Sequence, residues 1–204
     1  MTTKISGLLV INKPKDFTSR DVVNKVSKIL QTKKVGHTGT LDPIATGVLV
    51  LTINAATKLT EIITSENKEY IASVILGVKT DTLDITGQIL EKRNIIIKEQ
   101  DIIDVLNSFK GSYEQTVPLY SAIRINGQKL YEYARNKEEV ILPKRLVNIY
   151  DIKLLEITKN GFKFKCCVSK GTYIRSLIND IASKLNTIGV MSDLIRTKQG
   201  IFEL

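Results

Sequence analysis

The residues best placed to do chemistry lie in one short segment, Gly36–Gly47, which reads GHTGTLDPIATG. Its single acid, Asp42, is followed by Pro43, which restricts Asp42 to extended or turn geometry. Gly36, Gly39 and Gly47 allow tight backbone bends on either side. A carboxylate held in such a loop can be aimed at a substrate, or it can simply cap its own turn, and residue type alone leaves both readings open. Other chemistries fail against the same residues. A phosphate-binding Walker loop needs Lys-Ser/Thr after its last glycine, whereas Val48 and Leu49 follow Gly47. No GxSxG elbow occurs, and one histidine leaves little room for a triad. Asp81, Asp84 and Gly87 lack the spacing of a calcium-binding EF-hand loop.

The chain has 204 residues, 43% of them hydrophobic, enough for one large domain with a substantial core. Lys and Arg number 30 against 21 Asp and Glu, a formal charge of +9 that favours a polyanionic partner. The excess is concentrated near the start, in Lys4, Lys13, Lys15, Arg20, Lys25, Lys28, Lys33 and Lys34 against only Asp16 and Asp21. These residues lie on or beside one predicted helix and form a candidate phosphate-facing patch; a solvated surface of no special purpose fits the charge equally. No apolar run is long enough to span a bilayer, and the opening residues lack a signal-peptide layout, so a cytoplasmic protein with no membrane partner is expected. The two cysteines, Cys166 and Cys167, are adjacent, which suits neither a disulfide framework nor a CxxC metal motif. No metal is expected.

The elements that would carry the loop follow from periodicity. Gly7–Asn12 reads as a buried strand. Thr18-Ser19 offers an N-cap to a helix whose Val22, Val23, Val26, Ile29 and Leu30 recur at helical spacing. Gln31–Thr46 has no periodicity. A strand follows at Gly47–Ile53, then a short helix near Ala56–Ile63, then an alternating strand over 68–76. The stretch GVKTDTLDITG reads as an irregular loop, and Ile102, Ile103, Val105, Leu106 and Phe109 mark a helix closed by Gly111. Asn126-Gly127 is a strong turn signal. A long strand is expected over Arg145–Thr158 and another over Phe162–Ser169, where Phe162, Phe164, Cys166 and Val168 share the core face and Cys167 is a surface thiol. A helix from about Tyr173 to Leu185 turns Leu177, Ile178, Ile181 and Leu185 inward. Hairpins with interspersed helices argue for an α+β fold.

The segment GHTGTLDPIATG closely resembles the catalytic loop of TruB-type pseudouridine synthases. Further blocks agree in order: GLLVINKP (7–14), ATK (56–58), KEYIASVILGVKTDTLDITG (68–87), PLYSAIRINGQKLYEYAR (118–135) and SKGTYIRSLINDIASKL (169–185). The resemblance implies the pseudouridine synthase fold, a mixed, largely antiparallel sheet flanked by helices. It also implies a cofactor-free isomerase acting on the T-loop uridine of tRNA. By motif, Asp42 matches the catalytic aspartate and Tyr70 the tyrosine that stacks on the target base. Tyr173 and Arg175 match the KGTYIR pair, the arginine serving catalysis and the tyrosine substrate binding. His37 falls on the loop histidine that contacts the T-loop, and Leu194 on a pocket leucine, although DLIR stands where many members have Leu-Arg-Arg.

Pattern alone gives each of these residues a blander role: Tyr70 and Tyr173 as core cover, Arg175 as a solvated helix residue, His37 as a loop residue without function. It is the concurrence of blocks that selects the enzymatic one. The resemblance implies tRNA, through its T-arm stem-loop, as partner and a monomeric enzyme as its reader. Typical bacterial members continue into a small C-terminal RNA-binding domain of the PUA type. The chain ends at Leu204, shortly after Leu194, so a single catalytic domain without that module is expected. A guide-RNA-dependent subunit and a non-catalytic RNA-binding module are the competing readings.

Overall fold

The computed structural model describes residues 5–204, so Lys4 lies outside the described residues. The chain opens with β1 (Gly7–Lys13) and α1 (Ser19–Ile29). The predicted cap is formed: the Thr18 hydroxyl accepts the Asp21 N–H at 3.0 Å, and the Asp21 carboxylate accepts the Thr18 N–H at 2.9 Å. Val22, Val23 and Val26 are buried, but Ile29, on the last turn, is 69% exposed and does not join the inward stripe. Within the stretch expected to be irregular lies a short strand, β2 (Val35–His37), which pairs antiparallel with β3 (Thr46–Ile53). Three residues carry no readable period, so only the non-local pairing reveals it. A 3₁₀ turn (Asn54–Leu59) leads into α2 (Thr60–Ser65), and β4 runs over Lys68–Leu76 with strict alternation.

The Thr/Asp-rich stretch is a hairpin, not simply a loop: β5 (Val78–Thr80) pairs with β6 (Ile89–Lys92) around a turn that carries Asp81 and Asp84. Next comes α3 (Glu99–Asn107), which ends at Ser108; Gly111 opens β7 (Gly111–Thr116) instead of closing the helix. Asn126 (φ 50°) and Gly127 (φ 84°) make the expected hairpin turn between β8 (Arg124–Ile125) and β9 (Gln128–Lys129). The remaining elements are α4 (Leu130–Asn136), β10 (Lys144–Thr158), β11 (Gly161–Val168), α5 (Ile174–Lys184), β12 (Gly189–Gln199) and β13 (Phe202–Glu203).

The described residues group into two compact units: residues 5–71, 166–170 and 193–204, and residues 72–165 and 171–192. Strands β4, β11 and β12 each contribute a segment to both. In the first unit the strand order is β1-β3-β12-β4-β11, with β2 on β3 and β13 on β12. Here β1 pairs antiparallel with β3, while β12 runs parallel to β3 with Arg196 opposite Gly47. Helix α1 packs on β2. Val48 and Val50 of β3 are fully buried against Ile63 and Phe202. In the second unit the order is β12-β4-β11-β10-β7, β10 and β7 pairing antiparallel. Its helix α3 packs on β10 and α5, and α5 on β7. Phe162 and Phe164 are completely buried there, and Leu177, Ile178 and Ile181 line the inner face of α5. Cys166 is buried as expected; Cys167 is half-buried rather than on the surface.

Candidate active site

In the first unit the Asp42 loop joins β2 to β3 and is fixed on both sides of the aspartate. Leu41 donates its N–H to the Ser19 hydroxyl at 2.9 Å, which ties the loop to the start of α1. The Pro43 carbonyl accepts the Asp16 N–H at 2.8 Å and the Lys13 ammonium at 3.3 Å. Leu41, Ile44 and Ala45 are buried, whereas Asp42 is only half-buried and Pro43 is exposed. The carboxylate is therefore held at the surface end of a loop whose apolar neighbours anchor it. Gly47 closes the loop at φ +102°, where a Cβ would stand 2.2 Å from the Arg196 carbonyl oxygen. Only glycine permits both that backbone angle and that approach.

Lys13, counted in the basic patch by sequence, is 0% exposed. Its three ammonium protons meet the carbonyls of Pro14 (2.9 Å), Phe17 (2.5 Å) and Pro43 (3.3 Å). Burial pushes its pKa below the usual lysine value, and the negative charge of Asp42 partly restores it. It is a loop fastener, not a phosphate contact. Lys15, Arg20, Lys25, Lys28, Lys33 and Lys34 are exposed, so the rest of the described patch does face solvent. Lys25 lies 5.8 Å above the ring of the exposed Phe17.

Tyr70, on β4, is 7% exposed, and the charge of Arg196 acts on its side chain. Burial raises its phenol pKa, so it is neutral at physiological pH; Asp42 acts in the same direction and Arg196 against it. His37, half-buried at the end of β2, accepts the Gly39 N–H at Nδ1 over 3.4 Å. Burial, followed by the positive charges of Arg20 and Arg196, lowers its pKa. The ring is thus neutral at pH 7, with Nε2–H as its donor. Leu194 is buried on β12.

The second unit holds Tyr173 and Arg175. Tyr173 is the N-cap of α5; its N–H donates to Gln115 Oε1 at 2.8 Å, and its carbonyl accepts from Gln115 Nε2 at 3.1 Å. The guanidinium of Arg145 lies 5.6 Å over its ring. Arg175 is buried rather than solvated, donating to the carbonyls of Thr82 (2.9 Å) and Tyr120 (3.1 Å), with Asp84 at 4.0 Å. A cation in the first turn of a helix opposes the helix dipole, and the Asp84 carboxylate offsets this. Asp84 in turn accepts from the Thr82 hydroxyl (2.9 Å) and from the N–H (2.9 Å) and hydroxyl (2.6 Å) of Thr86. The Thr/Asp-rich turn is therefore the cradle of Arg175.

Sequence reasoning missed Arg196. It sits two residues after Leu194 on β12, and residues two apart on a strand share a face. An arginine sharing a face with a buried leucine was the available signal. Among the described residues no group of three or more His, Cys, Asp and Glu side chains is arranged to hold a metal ion, and no helix is long and apolar enough to cross a membrane.

Residues 27–174 match the family model described as TruB family pseudouridylate synthase, N-terminal domain. A protein named tRNA pseudouridine synthase B from Caldicellulosiruptor saccharolyticus is 46% identical over 200 residues, covering 98% of this chain and 69% of that protein. Its namesake from Bacillus subtilis is 48% identical over 207 residues, covering 98% and 67%. Among solved structures, a chain of a Cbf5-Nop10-Gar1 complex superposes with a TM-score of 0.77 at 32% identity; the match takes in 98% of this chain and 50% of that one. The chain thus spans about half the length of that structural relative.

Proposed function

This chain belongs to the TruB family of pseudouridylate synthases and has the pseudouridine synthase fold, and from that membership we propose that it converts the T-loop uridine of tRNA to pseudouridine, with Asp42 as the catalytic carboxylate. The observation that carries the reading is the fastening of the Asp42 loop, at Leu41 by Ser19 and at Pro43 by Lys13 and Asp16, which leaves the one acid between them half-exposed. The reaction breaks the N1–C1′ glycosidic bond, turns the uracil and joins C5 to C1′; the C5 proton leaves and N1 gains one. Nothing is oxidised and no outside group is transferred, so the chemistry asks only for a carboxylate, a proton path and a grip on the loose base. Asp42 serves as the nucleophile at C1′ or assists elimination through a glycal; both routes start from the same carboxylate.

A stacked base must leave its helix, at a cost of roughly a few kcal/mol. A tyrosine face returns about 1–3 kcal/mol by stacking, which suits Tyr70, and its protonated hydroxyl is a candidate for proton transfer. His37, neutral with a free Nε2–H donor, suits contact with the T-loop. Leu194 suits a pocket wall. For Tyr173 and Arg175 the roles rest on the family motif; Gln115 and Asp84 supply the rigidity such roles need. The exposed lysines of α1 and the turn after it are the proposed phosphate contacts. The enzyme is read as a monomer in the cytoplasm, and no metal is asked of it.

The test is incubation of the full chain with unmodified tRNA, without any guide RNA, followed by mapping of pseudouridine through a carbodiimide adduct and primer extension. Conversion at one T-loop uridine is expected, and Asp42→Asn should lower turnover by several orders of magnitude with tRNA binding little changed. No product from the parent chain, or an Asn variant within about tenfold of it, sinks the proposal.

A further inference from the structure

A buried cation is costly unless its donors are satisfied and its charge is balanced. Arg196 is 1% exposed and is among the largest fully buried side chains. Its Nε donates to the Val48 carbonyl on β3 at 2.6 Å, and its Nη2 donates to the Gly39 carbonyl, in the loop that carries Asp42, at 3.2 Å. The charge of the guanidinium also acts on the Tyr70 side chain on β4. One planar fork thus holds two separate pieces of backbone, both in the first unit.

The surrounding backbone is shaped to admit it. Gly47 lets the strand pair close upon the Arg196 main chain, and Gly39, at φ +148°, would bring a Cβ within 3.3 Å of Nη1. Gln199, farther along β12, adds a second tie by donating to the Thr38 carbonyl at 2.8 Å and its hydroxyl at 2.9 Å. A cation needed only for packing would be satisfied by carbonyls. Here one arm is spent on the loop of the catalytic acid, and the charges of Asp42 and Arg196 are both felt at Tyr70 and at Lys13.

We propose that Arg196 is a positioning residue: its guanidinium orients the Tyr70 hydroxyl and ties the Gly39 carbonyl, so that Asp42 and Tyr70 keep one relative placement during turnover. This rests on the functional reading above. A lysine cannot replace it, because an ammonium on a flexible stem is a point charge without a fixed fork.

The test is a double-mutant cycle on the full chain, with Arg196→Lys, Tyr70→Phe and the pair, scored by kcat and KM on unmodified tRNA, together with hydrogen exchange of residues 36–47. Arg196→Lys should cost about tenfold or more in kcat with KM within about threefold, and that loss should shrink clearly in the Tyr70→Phe background. Exchange in 36–47 should rise while α3 and β10 keep parental protection. An equal loss in both backgrounds, or unchanged exchange in the loop, overturns the proposal. Should Arg196→Lys fail to fold, Gly39→Ala, which presses on Nη1 from the loop, must lower kcat with KM kept; parental kcat there also overturns it. If the parent chain forms no pseudouridine, the functional reading fails, while loop exchange in Arg196→Lys still decides the role of Arg196.

Discussion

The ammonium of Lys13 donates to the carbonyl of Pro43, the residue after Asp42, at 3.3 Å across a sequence separation of 30. The same nitrogen closes its own turn through Pro14 and Phe17. A single buried charge therefore joins the end of β1 to the Asp42 loop. Lys13→Met keeps the apolar stem and leaves the three carbonyls without this donor. Hydrogen bonds to charged groups contribute about 1.5–3 kcal/mol, so a stability loss of about 2 kcal/mol is expected in urea unfolding, with reduced turnover from a looser loop. Unchanged stability would mean that water satisfies those carbonyls and that Lys13 fastens nothing.

Substitutions at Tyr70 separate the stacking proposed for its ring from the chemistry proposed for its hydroxyl. Its phenol is protonated at neutral pH because burial raises its pKa. Tyr70→Leu should damage both tRNA binding and rate, whereas Tyr70→Phe should keep stacking and lose only what the hydroxyl supplies. Steady-state kinetics on both variants check this; parental behaviour in both would reduce Tyr70 to a core residue.

Asp180 on α5 gives a pH signature to the second unit. Burial raises its pKa to about 6 from 3.8, against the hydrogen bonds from Asn179 and Tyr113. Between those values the folded chain holds a proton that the unfolded chain has released, so stability falls as pH rises from about 4 to about 6. Asp180→Asn should remove that component, and its thermal stability relative to the parent should improve as pH rises through this window. A constant difference between the two proteins from pH 4 to pH 7 would contradict it.

Lys25, Lys28, Lys33 and Lys34 are all exposed on α1 or the turn that follows. Replacing the four with Gln should weaken tRNA binding and flatten the dependence of log affinity on log salt by about one unit for each phosphate no longer neutralised. The kcat at saturating tRNA should stay near the parental value, because none of the four lies in the Asp42 loop. An unchanged salt slope would show that this surface faces only solvent.

Much of the scaffold was legible because its signals are local. The Thr18–Asp21 capping box, the Asn126-Gly127 turn and the alternation of Phe162, Phe164, Cys166 and Val168 each sit within a few residues, where helical or strand period decides which side is apolar. The Asp42 loop was legible for the same reason, its glycines and proline marking a bend around one acid. What sequence could not assign were the partners of buried charges. Lys13 read as part of a surface patch, Arg175 by itself as a solvated helix residue, and Arg196 as nothing in particular, yet all three are buried. The Arg196 guanidinium meets carbonyls 148 and 157 residues away, and Arg175 meets one 93 residues away. A long cationic side chain is equally at home in water or against distant carbonyls; only the tertiary pairing of β12 with β3, and the turn that brings Asp84 to α5, decides between them.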